Sequence, residues 1–262
     1  MEKDYSTIGF QHNGPQAYII LNRPEKGNAL NLEMIRELKD CLSQIEQSPV
    51  IRIVILKGDG NNFCSGADLK WMAAAAEYNF ERNLEESEEL ANLFRTIFTS
   101  QKLFIAKVHG ACYGGGIGLA AACDFIVSSD SARYAFSEVR LGLVPATISP
   151  YIVFRLGKQR AKRLMLTGEQ KSASQLELAG LVDLTICEEE IDSQIDKLIA
   201  ALLQGGSEAQ RNIKKLLNGF NSITSDETLY RKTAELIADS RVSDEGREGI
   251  NAFLEKRKPK WK

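Results

Sequence analysis

His109-Gly110-Ala111-Cys112-Tyr113-Gly114-Gly115-Gly116-Ile117-Gly118-Leu119-Ala120-Ala121-Ala122-Cys123-Asp124 is the stretch on which the reading of this 262-residue chain turns. The apolar run Leu103–Val108 ahead of it predicts a strand, and the small residues that follow predict a short buried helix. Three consecutive glycines join the two. Lacking a Cβ, glycine lets backbone N–H groups approach a bound group closely, and the unpaired donors at the start of a helix favour negative charge. Such a corner suits a developing oxyanion; taken alone, it is equally a tight turn that lets a helix pack closely. It fits neither common nucleotide loop. The Lys-Ser/Thr pair of a phosphate-cradling loop is missing, and Gly114 to Gly118 do not form G-x-G-x-x-G after a first βα unit.

Working back toward the N-terminus, a second corner of the same kind appears at Phe63-Cys64-Ser65-Gly66-Ala67-Asp68. Asp68 is predicted to cap a short helix, which leaves the amides of Gly66 and Ala67 free. Before it lie a strand at Ile51–Leu56, a helix capped by Asn31 with Leu32, Ile35, Leu38, Leu42 and Ile45 on one face, and a hairpin of Tyr5–Gln11 and Ala17–Leu21 turning at His12–Pro15. Between the corners, Ala73–Arg82 has no clear period and reads as loop or irregular helix; Glu85–Ser100 reads as a long helix. After Asp124 the chain predicts short strands at Phe125–Ser128 and Arg133–Phe136. Helical patches follow from Ser149-Pro150, at Arg160–Leu166 and at Ser172–Ala179, then a last strand at Leu181–Cys187. From Ile191 onward only helices are predicted. An exposed Gly205-Gly206 hinge would divide an α/β core, residues 1–204, from a helical region, residues 205–262.

Composition narrows the function classes. A net charge of −2 gives no footprint for nucleic acid or a membrane surface, and no apolar run approaches the roughly 18–20 residues that span a bilayer. Residues 1–13 lack the features of a signal or transit peptide, so a cytoplasmic location is expected. Five widely spaced cysteines without C-x-x-C suggest neither a disulfide framework nor zinc. Two histidines, His12 and His109, leave little material for a metal centre or a Ser-His-Asp triad. His109, after a buried strand, reads as a packed and hydrogen-bonded side chain rather than a base.

Glu138 is the acid that draws attention. It stands in Ser137-Glu138-Val139-Arg140-Leu141-Gly142-Leu143-Val144-Pro145, beside an apolar stretch that would desolvate its carboxylate, raise its pKa and equip it to carry protons near neutral pH. The alternative is a surface glutamate paired with Arg133 or Arg140.

These segments together resemble the enoyl-CoA hydratase/isomerase, or crotonase, superfamily. Asn22-Arg23-Pro24 with Asn28-Ala29-Leu30, Phe63 to Leu69, Gly110 to Asp124, Ser137 to Pro145 and Glu248 to Arg257 follow that family's order and spacing from end to end. The resemblance implies a spiral of repeated ββα units, and a C-terminal helical region making a homotrimer or a hexamer of two trimers. It implies an acyl-CoA thioester as substrate, with coenzyme A as part of that substrate and no metal or other cofactor. The amides of Ala67 and Gly115 take the place of the oxyanion hole and Glu138 that of the proton carrier. Lys26, Asn28, Ala29, Ser65, Asp68 and Leu69 correspond to the CoA-gripping segments, while Tyr113, Gly114 and Gly118 fall along the acyl group.

The well-known hydratases of the family carry a second glutamate where this chain has Gly118. With Ser65 to Met72, Ala111 to Leu119 and Val144 to Tyr151, that glycine is similar to the bacterial methylglutaconyl-CoA and isohexenylglutaconyl-CoA hydratases. The expectation is that losing a carboxylate there makes room for a substrate with its own second carboxylate. A Δ3/Δ2-enoyl-CoA isomerase using Glu138 alone, a decarboxylase and a catalytically inert CoA-ester-binding protein are the alternatives.

Overall fold

The computed structural model describes residues 4–219 and 227–261. Alternating apolar residues make β1 (Ile8–Asn13) and β2 (Gln16–Leu21) the expected antiparallel hairpin, with Ile8 opposite Leu21. A 3-10 turn at Pro24–Lys26 leads to α1 (Leu32–Gln47), whose N-cap is Asn31: its side chain accepts the Met34 N–H. Met34 and Cys41 join Ile35, Leu38, Leu42 and Ile45 in the core, while Leu32 is only half-buried. The β-branched run then forms β3 (Ile53–Gly58), parallel to β2.

Helices α2 (Leu69–Ala76) and α3 (Phe80–Thr99) follow, and β4 (Leu103–Val108) lies parallel to β3. The stretch read as irregular is therefore helix up to Ala76, and α3 starts at Phe80 because Asn79 caps it by accepting the Arg82 N–H. A short strand, β5 (Ala111–Tyr113), stands between β4 and the glycines, after which come α4 (Gly115–Ala122), β6 (Phe125–Ser129) and β7 (Arg133–Ala135). Helix α5 (Ser149–Thr167) unites the two predicted patches across a non-helical Gly157. Beyond it lie β8 (Lys171–Ser172), α6 (Ala173–Ala179) and β9 (Leu184–Ile186), the last narrower than predicted.

Strands β1-β2-β3-β4-β6-β9 form one sheet, parallel beyond the first hairpin, and β5-β7-β8 form a second. The chain visits them alternately, β4 then β5 and β6 then β7, with a helix closing each circuit. This is the expected spiral. Its core includes Ile19, Leu21, Val54, Phe104 and Ala106 of the large sheet and Phe94 and Ile97 of α3. Helix α4 is buried along its length and held at its C-terminal end by Arg155. That guanidinium donates to the carbonyls of Ala121, Cys123 and Asp124 and pairs with Asp183 at 3.1 Å. Satisfying the last carbonyls of a helix with a cation also suits its dipole.

Two compact units are present, residues 1–195 and 196–262. Helix α7 (Ile191–Gln204) carries the chain from the first into the second, which continues with α8 (Ser207–Asn218), α9 (Glu227–Val242) and α10 (Asp244–Leu254). Within the second unit the glycine pair is not an exposed hinge. Gly206 is buried against Glu245, whose carboxylate accepts the N–H groups of Glu208 and Ala209 at the start of α8.

Candidate active site

Both glycine-bearing corners lie at the margin of the small sheet, and backbone pairing stitches them together. Cys64 N–H donates to Ala111 O at 3.0 Å and Tyr113 N–H to Cys64 O at 2.9 Å. One residue pair further on, Leu30 N–H donates to Gly66 O and Asp68 N–H to Leu30 O, at 2.7 and 2.8 Å. A parallel bridge of this kind uses alternate residues, so it skips the Ala67 N–H. Among the described residues that N–H has no hydrogen-bond acceptor, and Ala67 is exposed. Gly115 opens α4, where an N–H has no partner within the helix.

Glu138 is brought to the same place by a 3-10 turn, Ser137–Leu141, closed by the Leu143 N–H donating to Glu138 O. Its carboxylate lies over Gly114: a Cβ built on that glycine would stand 3.0 Å from Glu138 Oε1. Gly114 also has φ +46°, a conformation that side chains rarely adopt, so two constraints converge on glycine here. The proton-carrying candidate thus sits directly above the residue that precedes the Gly115 amide. Its Oε2 is buried without a partner, and burial raises the carboxyl pKa above its ordinary value. The surface-pair alternative is excluded in this structure: Arg133 donates to the carbonyls of Asp130, Ser131 and Ala132, and neither it nor Arg140 pairs with Glu138.

Room in front of Gly118, expected for a substrate group, is absent. A Cβ on Gly118 would meet Ile148 Cγ2 at 2.3 Å and Phe94 Cζ at 2.9 Å. Two apolar side chains fill the place, and Gly118 is a packing position rather than a substrate contact. The sequence showed Phe94 only as one residue of a helical apolar stripe and Ile148 only as part of a loop motif. Nothing local in either marks a contact to α4.

The remaining predicted contacts divide. Asp68 is structural: it caps α2 by accepting the N–H groups of Lys70 and Trp71, and its other oxygen pairs with Arg23 at 2.8 Å. Burial works to raise its pKa, but Arg23 and the two amides outweigh it and the carboxyl stays below its ordinary value. Asn28 is likewise occupied. Buried at φ +55°, it accepts the Arg23 N–H and donates to the carbonyls of Asp59 and Asn62, bonds that hold an otherwise strained backbone. Ala29 is buried and its carbonyl accepts from Arg23, so Arg23, which the sequence showed as part of a motif without a role of its own, fastens the first loop to the Ala67 corner. Lys26 is exposed, Leu69 is 81% exposed, and Ser65 and Tyr113 are half-buried. His109 Nε2 lies 2.8 Å from Gly60 O, as a packed histidine would. Burial pushes the Cys64 thiol up to about 12 and that of Cys112 well above its ordinary value, so neither is a thiolate at neutral pH.

Two unpaired amides and a carboxylate with a buried oxygen beside one of them form a site for stabilising an oxyanion and moving a proton. The family model for enoyl-CoA hydratase/isomerase matches residues 12–262. Mevalonyl-coenzyme A hydratase sidH of Aspergillus fumigatus is 33% identical over 93% of this chain and 90% of its own. An enoyl-CoA hydratase crystal structure from Shewanella pealeana superposes with a TM-score of 0.95 at 36% identity, covering 98% of this chain and 96% of that one. Pseudomonas aeruginosa AtuE gives 0.93 at 30%, covering 98% and 99%. The mixed α/β architecture is the crotonase fold, and the chain belongs to the enoyl-CoA hydratase/isomerase family.

Proposed function

We propose that this protein is a hydratase that adds water to, or removes it from, an α,β-unsaturated acyl-CoA of the branched dicarboxylic, 3-methylglutaconyl type. The observation that carries the proton-transfer chemistry is the Glu138 carboxylate over Gly114, next to the unpaired Gly115 N–H, while the choice of acyl group rests on the sequence resemblance alone. The thioester oxygen accepts from the Ala67 and Gly115 amides. As water oxygen bonds to Cβ, Glu138 takes its proton; the π electrons move to the thioester oxygen, and the resulting enolate is held by the two donors. Glu138 then returns a proton to Cα on the same face, which restores the carboxylate and the thioester. Preorganised donors of this kind typically contribute about 3–4 kcal/mol each to transition-state stabilisation. Exposed Lys26 and Leu69, with Ser65, border the first loop and are assigned to the CoA moiety.

A second reading has its own support. Since Ile148 and Phe94 occupy the place opposite, the described residues offer no second carboxylate at Gly118, and a single acid suffices to shift a double bond between Cβ–Cγ and Cα–Cβ. Product analysis separates the two. 3-Methylglutaconyl-CoA, crotonyl-CoA and a 3-enoyl-CoA are incubated separately with the protein: hydration of the first with much slower hydration of the second supports the hydratase. Bond migration in the third without water uptake replaces it with the isomerase, and binding without turnover removes both. The helices of residues 205–262 are assigned to assembly as a trimer or a pair of trimers, which light scattering of the intact and truncated chains tests.

A further inference from the structure

Glu138 stands on a turn that carries no buried residue: none of Ser137–Leu141 is fully covered, and Leu141 and Leu143 are exposed. The element that the turn meets most is α5. Their meeting point is Gly168, the residue that ends α5. It is buried and left-handed at φ +59°, and its N–H closes the helix by donating to Leu164 O at 3.0 Å. A Cβ built there would stand 3.1 Å from Val139 Cγ1, 3.2 Å from Arg140 Nε and 3.2 Å from Phe136 O. All three atoms belong to the turn or to the residue that leads into it. The sheet register explains the approach. β8 pairs antiparallel with β7, Ser172 opposite Arg133 and Lys171 opposite Tyr134. Continued along both chains, that register brings Gly168 opposite Ser137, the first residue of the turn. Helix end and turn therefore approach as two backbones, which the absence of a side chain at Gly168 permits.

The same helix reaches the other half of the site. Ile148, the N-cap of α5, closes over Gly118, and Arg155 holds the carbonyls at the far end of α4. Non-helical Gly157 divides α5 into two halves. The half before it grips the helix that opens with Gly115. The half after it ends against the turn that carries Glu138. What α5 does at its two ends thus bears on the separation of the carboxylate and the amide.

We propose that Gly168 is a positioning residue for Glu138: its bare backbone lets the turn settle against α5 and so fixes where the carboxylate stands over Gly114, beside the Gly115 amide. This rests on the assignment of Glu138 as proton carrier, but it is testable without turnover. In Gly168→Ala the Val139 and Arg140 side chains can swing aside, whereas the Phe136 carbonyl is backbone, so the turn itself gives by a few tenths of an ångström. Gly168→Asn brings the same Cβ with less strain, since asparagine enters the left-handed region more readily. Gly180→Ala is the comparison. Gly180 ends α6 at φ +93° and a Cβ there meets nothing closer than 3.9 Å, so this variant carries backbone strain without the contact. Carbon-13 NMR of the intact protein labelled at glutamate Cδ, with the Glu138 signal assigned from Glu138→Gln, reads the titration of this carboxyl. Both Gly168 variants are expected to move its midpoint by about half a unit or more, and Gly180→Ala to leave it in place. Turnover of crotonyl-CoA or 3-methylglutaconyl-CoA should slow about tenfold in the Gly168 variants and stay unchanged in Gly180→Ala, despite a similar fall in its urea midpoint. A Glu138 midpoint that no variant moves, or that Gly180→Ala moves as far, would overturn the positioning role. If the Gly168 variants move the midpoint while Glu138→Gln leaves turnover intact, the proton-carrier assignment fails and the positioning stands. Loss of turnover in Glu138→Gln, with midpoint and rate unmoved in the Gly168 variants, leaves the assignment standing and overturns the positioning.

Discussion

Adding a single methyl group at Gly118 tests how the place of the missing glutamate is filled. Within a helix, glycine to alanine ordinarily stabilises by about 0.5–1 kcal/mol, since alanine loses less backbone freedom on folding. Here the new Cβ would stand 2.3 Å from Ile148 Cγ2 and 2.9 Å from Phe94 Cζ. Carbon atoms pack at roughly 3.5–4.0 Å, so Ile148 must retreat by more than an ångström inside a close-packed core. Overpacking of this size costs about 1–3 kcal/mol, which exceeds the helix gain. Gly118→Ala is therefore expected to lower stability by roughly 0.5–2 kcal/mol, read as a fall in the urea midpoint at unchanged slope. Ile148→Ala removes the offending methyl and alone costs about 2–5 kcal/mol through the cavity it leaves. In that background only the Phe94 Cζ approach at 2.9 Å remains, so Gly118→Ala should cost clearly less than in the unaltered protein, a coupling of about 1 kcal/mol or more. The reasoning is refuted if Gly118→Ala raises the midpoint in the unaltered protein, or if the two substitutions add within about 0.5 kcal/mol.

Glu138→Gln should lower kcat by about 10²–10⁴ with acyl-CoA affinity retained. For the unaltered enzyme, the acid limb of the kcat/KM profile should lie above the ordinary carboxylate value of 4.5, since burial raises the pKa of a group that must be ionised to take a proton. That same raised pKa means that ionising Glu138 opposes folding: the contribution to stability is fullest below the unfolded carboxyl pKa and declines as pH rises through the folded one. Glu138→Gln is thus expected to raise Tm at pH 8 more than at pH 4, a comparison made by calorimetry. The Asp68 linkage runs the other way, because its folded pKa is depressed. Its pair with Arg23 contributes above the ordinary aspartate value of 3.8 and is lost as pH falls below it, and Asp68→Ala should cost about 2–5 kcal/mol in urea unfolding at pH 7, from the broken, largely buried pair and the lost α2 cap. Four cysteines are buried and Cys187 is half-exposed, so a thiol reagent should label Cys187 in the native protein and all five cysteines only after unfolding, as mass spectrometry would record.

Features set by neighbours in sequence were readable before the structure. The caps at Asn31, Asp68 and Ser172 follow from side-chain oxygens placed just ahead of a helical period, and β4 from an unbroken apolar run. The two corners were readable for the same reason, because the chemistry of a free amide is a property of local backbone. Features set by distant partners were hidden. Strand β8 is two residues long and exists because Arg133 and Tyr134 pair with it. The first turn of α3 carries exposed Phe80 and Leu84, so no buried face announced it. The filling of the Gly118 site depends on Phe94 and Ile148, which are 24 and 30 residues away in the chain. The occupation of Asp68 and Asn28 depends on Arg23.

The Arg155 clasp on α4 bears on the energetics of turnover. The helix is fixed at its far end by carbonyls locked to a guanidinium and along its sides by full burial, so its first amide is aimed before any substrate arrives. When negative charge grows on a thioester oxygen, solvent dipoles in free solution must swing round to meet it, and that reorientation is part of the barrier. A donor on a clamped helix has nothing left to reorient. With the Gly115 amide in its proposed role, Arg155, remote in sequence from both glycine corners, would lower the reorganisation energy of a step it never touches.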